Sequence, residues 1–210
     1  QTSKKFGGGL YSLEINKNSF KIQKTLSGNC YGTLKKDKNF LIIDEHKGIL
    51  EYNNRKIKKI KSLKKGLRPH GLTYSKTQSK YYLCCTELDS VLVLNENFDE
   101  IDSIQISNKK KQTGIKHHHL NDCVAIDDSL YVSMFSISGN YGKEFYDGAI
   151  LEIDLNNFKN KCLLKNNLWM PHNIRYFNNS LHILNSFNGE LLGYNMKILG
   201  KFPGFSRGLN

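Results

Sequence analysis

The chain has 210 residues, 39% of them hydrophobic, which is enough for one domain with a sizeable core. No apolar run approaches the roughly 20 residues of a membrane-spanning helix, so the sequence predicts no membrane span. The formal net charge of +12 comes mostly from lysine, and the lysines cluster in residues 55–65 and 109–116. Such clusters attract phosphate polymers and acidic surfaces. Residues 55–63 also alternate basic with apolar side chains, as an outer strand does. Binding of nucleic acid or another polyanion is therefore the less favoured interpretation for this basic protein.

The cysteines are odd in number and show no paired spacing. They are Cys30, Cys84, Cys85, Cys123 and Cys162. Three of them, at positions 84, 85 and 123, lie within apolar runs, where buried free thiols are common. The pattern predicts reduced core cysteines in a cytoplasmic protein.

In chain order, a unit of about 40 residues repeats. Its most regular part is a small residue, a short apolar run and then Asn or Asp. This part begins at Gly9, Gly48, Ser90, Gly148 and Gly189. One interval is longer than the others because it contains an insertion at residues 136–147. A repeat of this length with several strands is the signature of a propeller blade.

Each complete repeat has four short segments in a fixed order, ending in a more polar edge strand. The first segments are residues 29–34, 69–74, 121–126 and 171–176, and the second are 40–44, 82–86, 130–134 and 181–185. The polar fourth segments are residues 20–26, 56–63, 101–106, 161–164 and 196–202. A β-sandwich of unrelated strands would not explain this order, so the sequence favours an all-β propeller of four-stranded blades.

The two ends of the chain fit the same repeat. Residues 10–26 form a third and a fourth strand, and residues 204–210 have the pattern that begins a first strand. We therefore predict a single β-propeller domain over residues 1–210. It is five-bladed if the N- and C-terminal strands share one blade, and otherwise it is a fragment of a larger propeller.

Polar side chains recur at the start of the first strands, which line the central channel of a propeller. Counting back from the second strands places one polar residue of each repeat at the same level, and His119 is expected on the strand face of Asn121. The column consists of Tyr31, His70, His119, Asn121, His172 and Arg207.

The types of these residues suggest binding chemistry. His70, His119 and His172 could hold one divalent metal, Zn, Fe or Ca, with an open position for water or substrate. Tyr31, Asn121 and Arg207 would then contact a ligand, the arginine by pairing with a carboxylate or phosphate. A metal-free ligand pocket explains the same residues equally well, and a wet channel with structural histidines is the third explanation.

Two further features complete the expectations for the site. The insertion at residues 136–147 carries Tyr141, Phe145 and Tyr146. It is expected on the rim opposite to the segments that lead into the first strands. There its aromatic residues could cap a face or bind a protein, and an ordinary packed loop explains them equally well. Asp122 is expected to be the hydrogen-bond partner of a channel histidine.

Three passages resemble an uncharacterised family of bacterial, often cyanobacterial, conserved hypothetical proteins. They are His119-Leu-Asn-Asp, Trp169-Met-Pro-His with residues 181–193, and residues 202–209, which contain Pro-Gly-Phe-Ser-Arg-Gly-Leu. The resemblance covers roughly residues 67–209 and places the family's recurrent segments on His119, Asn121, His172 and Arg207. Members of that family are longer, some are fused or adjacent to glycosyltransferase modules, and the family implies no particular activity. A looser likeness exists to propeller lyases and lactonases that use channel His, Asp or Asn with a metal.

The sequence leaves three functions open, and it does not settle whether the protein is an enzyme. The favoured one is a propeller that binds a small polar or anionic molecule, such as a saccharide, at the channel mouth. The second is a metal-dependent lyase or hydrolase that uses the channel histidines. The third is a structural or assembly propeller that binds a protein partner.

Overall fold

The structure, a computed structural model, describes residues 8–208 except for the side chain of Tyr194. The chain forms two compact units, Gln1–Leu67 and Arg68–Asn210. In the described part of both units almost all regular structure is antiparallel β-sheet. The prediction of an all-β protein is confirmed, whereas the prediction of one domain over residues 1–210 stays a prediction.

The first unit contains a hairpin and one four-stranded blade, which we call blade 1. The hairpin consists of β1 (Gly9–Asn16) and β2 (Ser19–Ser27). Blade 1 consists of β3 (Cys30–Lys36), β4 (Asn39–Asp44), β5 (Gly48–Asn53) and β6 (Lys56–Lys61), hydrogen-bonded in that order. The middle strands bury their apolar side chains, Ile42, Ile43 and Ile49 among them, while the lysines of β6 lie on the outer strand.

The second unit contains three more blades. Blade 2 is β7 (Pro69–Ser75), β8 (Lys80–Cys85), β9 (Ser90–Leu94) and β10 (Glu100–Gln105). Blade 3 is β11 (Leu120–Ile126), β12 (Ser129–Met134), β13 (Gly148–Asp154) and β14 (Lys161–Leu168). Blade 4 is β15 (Pro171–Phe177), β16 (Ser180–Asn185), β17 (Glu190–Leu192) and β18 (Ile198–Lys201). The helical segments are α1 (Lys109–Thr113) and the 3₁₀ turns Thr86–Leu88, Tyr141–Lys143, Ser186–Asn188 and Tyr194–Met196.

The order of strands within each blade agrees with the predicted order of segments, and the blades are those of a β-propeller. In the second unit the first strands are innermost, because β11 contacts both β7 and β15. The core between blades 2 and 3 is built from alternating apolar residues of neighbouring strands. It includes Tyr82, Val91, Leu130, Val132 and Ile153, none of which is exposed by more than 1%.

The predicted fifth blade is not supported. Residues 204–210 were expected to begin a first strand, but residues 202–208 form no strand. They run along blade 4 instead, where the amides of Phe202 and Ser206 donate to the carbonyls of Gly189 and Ser186. The last two residues of the predicted strand lie outside the described residues.

All five cysteines carry free thiols, and the three predicted core cysteines are buried. Burial raises the pKa of the Cys84 and Cys85 thiols, which therefore stay protonated and unreactive near neutral pH. Among the described residues, no helix has the length and apolar character needed to cross a membrane.

Close packing of the inner strands β7 and β11 gives a test of this arrangement. A Cβ atom at Gly71 would lie 2.1 Å from Asp122 Oδ1 and 2.7 Å from its Cα. We expect Gly71→Ala to lower the free energy of unfolding by about 1–3 kcal/mol through overpacking, as measured by urea denaturation. Gly142→Ala is the control, because its Cβ would meet nothing within 4 Å. An equal effect of the two substitutions would contradict the close contact.

Candidate functional site

The polar column begins at a β-bulge that occurs in all four blades. In each first strand one extra residue interrupts the register with the second strand. It falls between Cys30 and Gly32, between Pro69 and Leu72, between Leu120 and Cys123, and between His172 and Ile174. In each blade the residue at the start of the first strand, Cys30, Pro69, Leu120 or Pro171, pairs with the last residue of the second strand, which is Asp44, Cys85, Met134 or Asn185. Tyr31, His70, Asn121 and His172 therefore occupy the same position of their blades. Bulges re-aim side chains in this way, and the predicted equivalence of these four residues is confirmed.

His172 is held at its Nδ1 atom by two oxygen atoms of blade 4. Nδ1 lies 2.8 Å from the carbonyl oxygen of Met170 and 2.9 Å from the hydroxyl of Ser186. Since a carbonyl oxygen only accepts, Nδ1 donates and Nε2 keeps its lone pair. The Nε2 atom is buried and has no hydrogen-bond partner among the described residues.

His70 has the same arrangement in blade 2. Its Nδ1 lies 3.0 Å from the carbonyl oxygen of Arg68 and 2.9 Å from the hydroxyl of Thr86. That hydroxyl donates its proton to the carbonyl of Leu120 at 2.6 Å, so its oxygen is free to accept from the ring. Two blades thus present a histidine in the same tautomer.

The backbone at His119 differs from the one that the sequence predicted. It precedes β11 and has a left-handed backbone with φ of 54°, so it does not lie on the strand face of Asn121. The carboxylate of Asp89 accepts hydrogen bonds from the backbone N–H groups of residues 117, 118 and 119 and fixes this turn. The ring of His119 is buried, and its Nδ1 atom has no hydrogen-bond partner among the described residues.

Aromatic rings surround the histidines. His119 stacks on Phe135 with centroids 4.3 Å apart, and Phe135 meets His172 edge-on at 5.0 Å. His70 meets His119 at 6.1 Å. The structure therefore brings the three predicted histidines into one cluster, with a phenyl ring between two of them.

Arg207 reaches the same cluster from the C-terminal segment. Its Cζ atom lies 5.1 Å from the ring centre of Phe205, and that ring lies 5.2 Å from His172. Arg207 forms no ion pair with a carboxylate among the described residues. Arg68 and Lys116, the other cations near the cluster, both pair with Glu87.

Burial and these cations keep His119 and His172 neutral. Burial lowers the pKa of His119 to about 2, and the charges of His70, Lys116 and Arg68 act in the same direction. Burial, followed by the positive charge of Arg207, lowers the pKa of His172 to about 4. Both rings are uncharged at neutral pH.

The insertion at residues 136–147 lies at the histidine end of blade 3, and the prediction that it occupies the opposite rim is wrong. β12 runs antiparallel to β11 and returns the chain to the end where β11 begins, with Met134 paired to Leu120. Tyr141 of the insertion packs on His119 at 4.4 Å, and Lys116 lies over the tyrosine ring at 5.8 Å.

The remaining predicted residues have separate surroundings. Asn121 is buried at the bulge of blade 3. Tyr31 belongs to the first unit, where it is 37% exposed and its hydroxyl donates to Glu45 at 3.3 Å. Asp122 does not bind a histidine as expected, because it pairs with Arg175 at 2.9 Å.

The histidine cluster does not have the form of a metal site. No group of three or more His, Cys, Asp or Glu side chains within residues 8–208 is arranged to hold a metal ion. The ring of Phe135 packs against both His119 and His172. A metal centre built from His70, His119 and His172 therefore finds no support in this geometry.

A cavity of about 650 Å³ lies away from the histidine cluster. It is found between blades 3 and 4, beside Asp127, Tyr131 and Tyr176. These residues lie toward the opposite end of the inner strands, and no predicted site residue lines the cavity.

Several residues of the cluster were missed from the sequence. Phe135 follows a predicted second strand directly, and a tally of aromatic residues at strand ends would have included it. Thr86 and Ser186, whose hydroxyls contact the histidines, both directly follow a second strand. The sequence repeat could therefore have identified them as equivalent residues. Asp89 carried no signal beyond a turn position.

Comparisons with known proteins establish the fold. No family model matches the chain, and no curated protein sequence matches it. A chain of the nidogen/laminin complex is 14% identical with a TM-score of 0.66, covering 95% of this chain and 77% of that one. Virginiamycin B lyase from Staphylococcus aureus is 14% identical with a TM-score of 0.57, covering 90% and 61%. A putative 6-phosphogluconolactonase from Bacteroides uniformis is 13% identical with a TM-score of 0.55, covering 87% and 59%.

These likenesses show the β-propeller fold and nothing of the activity. The chain spans about three fifths of the length of the lyase and lactonase chains that it resembles. The resemblance to the bacterial family described above stays a prediction.

The depressed histidine pKa values predict an acid-sensitive fold. In the unfolded chain both rings titrate near their ordinary value of about 6.5. As pH falls below that value, the unfolded chain binds protons that the folded protein does not, so the free energy of unfolding decreases. His172 alone accounts for roughly 3 kcal/mol of loss by about pH 4, and His119 adds to it in the same direction.

Urea denaturation between about pH 7 and pH 4 measures this loss. In His172→Phe the decrease toward acid pH should be shallower, since one of the two groups is gone. An unchanged slope in that variant would show that His172 is not the group being protonated.

Proposed function

We propose that the cluster of His70, His119 and His172 is a binding site for a small polar or anionic molecule, with saccharides as one fitting class. The observation that carries this proposal is a pair of buried nitrogens, Nε2 of His172 and Nδ1 of His119, that have no hydrogen-bond partner within residues 8–208. Buried polar atoms in folded proteins are nearly always hydrogen-bonded. Two unpaired buried nitrogens in one cluster support the presence of a ligand that forms hydrogen bonds with them.

The energetic argument points the same way. An unsatisfied buried polar atom costs about 1–3 kcal/mol, which is large compared with the total stability of a domain. A purely structural cluster would gain stability from apolar side chains at these positions. The retained nitrogens are therefore better explained by binding than by packing.

Access to His172 runs past the C-terminal segment. Of the two phenyl rings in contact with His172, Phe135 is 5% exposed and Phe205 is 42% exposed. Phe205 belongs to residues 202–208, which form no strand. A ligand would reach Nε2 by displacing this ring.

A second candidate is a lyase or hydrolase that uses the same histidines, which the sequence suggested in a metal-dependent form. A neutral imidazole with a free Nε2 lone pair can accept a proton from a substrate. Among the structural neighbours, virginiamycin B lyase has been described as a catalytically inactive histidine-to-alanine variant with quinupristin bound. Because the chain covers only part of that enzyme, this remains the alternative.

Other expectations for the protein also stand as proposals. A protein partner would have the lysine-rich outer strand β6 or the insertion at residues 136–147 as contact surfaces. The five free thiols support a cytoplasmic location. The segments that carry the resemblance to the bacterial family supply His119, His172 and Arg207 to the cluster, which agrees with a shared binding role.

A thermal-shift screen tests the proposed site. The panel consists of neutral monosaccharides, sugar acids and sugar phosphates. A ligand present at about 100 times its Kd stabilises the fold by about 2.7 kcal/mol, which corresponds to a rise of roughly 5–10 °C in Tm. His172→Phe should weaken binding of the ligand at least about tenfold.

His182→Phe is the matched control. His182 is also buried, but it lies on β16 against Phe177 rather than in the cluster. A ligand whose affinity falls equally in both variants, or in neither, binds elsewhere and would contradict the proposed site.

A further inference from the structure

The chemistry of a ligand for this cluster follows from which atoms can donate and which can accept. At His172 the Nδ1 proton is committed to the carbonyl of Met170, with the hydroxyl of Ser186 as a second acceptor. The buried Nε2 atom of the neutral ring is therefore a pure acceptor. It can be satisfied only by a group that donates a proton, such as a hydroxyl.

Blade 2 independently shows that this tautomer is built in. The proton of the Thr86 hydroxyl is used by the carbonyl of Leu120, so the hydroxyl oxygen, like the carbonyl of Arg68, accepts from His70 Nδ1. The same device, a carbonyl two residues earlier and a hydroxyl after the second strand, recurs at His172. In both rings Nδ1 is therefore the nitrogen that donates to these supports.

Arg207 supplies the opposite chemistry. A guanidinium group only donates hydrogen bonds and is always charged. Arg207 packs on the same phenyl ring as His172 and has no carboxylate partner among the described residues. Since Arg68 and Lys116 share Glu87, Arg207 is the cation of the cluster that is left for an anion.

We propose that the ligand is a hydroxy acid, with a hydroxyl that donates to His172 Nε2 and an acid group that binds Arg207. The proposal rests on the proposed function of this site and narrows it to one chemical class. A carboxylate without a hydroxyl group has no proton to donate, so it would leave the lone pair of His172 Nε2 next to an anion or a hydrocarbon chain. A neutral polyol would satisfy the histidine and leave the arginine unpaired.

Three six-carbon probes separate these possibilities: D-galactonate, galactitol and hexanoate. Calorimetric titration should show D-galactonate binding at least about tenfold more tightly than either of the other two. Arg207→Gln should remove most of the difference between galactonate and galactitol, because only the acid uses the guanidinium. His172→Phe should remove most of the difference between galactonate and hexanoate.

Nitrogen NMR of histidine-labelled protein gives a readout that does not depend on affinity. Without ligand, His172 should show a protonated Nδ1 and an unprotonated Nε2, and galactonate should shift the Nε2 resonance while the Nδ1 proton stays. Ser186→Ala removes one acceptor and should admit some of the other tautomer, whereas Ser186→Thr should retain the wild-type pattern. A wild-type His172 protonated at Nε2 would overturn the inference.

The outcomes distinguish this inference from the proposed function. If sugars or other solutes from the screening panel bind through His172 but galactonate does not, the site is real and the hydroxy-acid class is wrong. If galactitol binds as tightly as galactonate, the acid group is not required, and if hexanoate does so, the hydroxyl group is not required. Either result would contradict the hydroxy-acid proposal. If neither the panel nor the three probes perturb the His172 and His119 resonances, the proposed binding function itself fails.

Discussion

The bulge at the start of each first strand is the constraint on which the rest of the site depends. In a regular strand successive side chains point to opposite faces. One extra residue after Pro69 in blade 2 and after His172 in blade 4 lets Leu72 and Ile174 stay buried, with a histidine at the start of the strand before each of them. The blade thus keeps its core and presents a polar side chain at its rim.

The fold was largely predictable because its information is local. Apolar alternation and turn residues lie within a few positions of each other, so the order of strands could be counted along the chain. The equivalence of His70, Asn121 and His172 followed from the same counting within single hairpins. The prediction of a fifth blade was wrong because the backbone amides of Phe202 and Ser206 donate to the carbonyls of Gly189 and Ser186 in blade 4, and residues 202–208 form no new strand.

The surroundings of the histidines were less predictable because they depend on contacts between distant segments. The rotation of His119 out of the strand follows from the Asp89 carboxylate, which lies 30 residues earlier and takes three backbone N–H groups. The insertion was assigned to the wrong rim because the direction of β12 was not followed through the hairpin. Phe135 and Phe205 come from loops, whose paths no periodic pattern specifies.

The polar groups of the cluster include one that can only accept hydrogen bonds and one that can only donate them. Burial holds His119 and His172 in their neutral form, and fixed acceptors at Nδ1 leave Nε2 of His172 able to accept but not to donate. Arg207 can donate but not accept. A ligand site of the proposed kind, with one pure acceptor and one pure donor, would select ligands by the arrangement of their polar groups as well as by their shape.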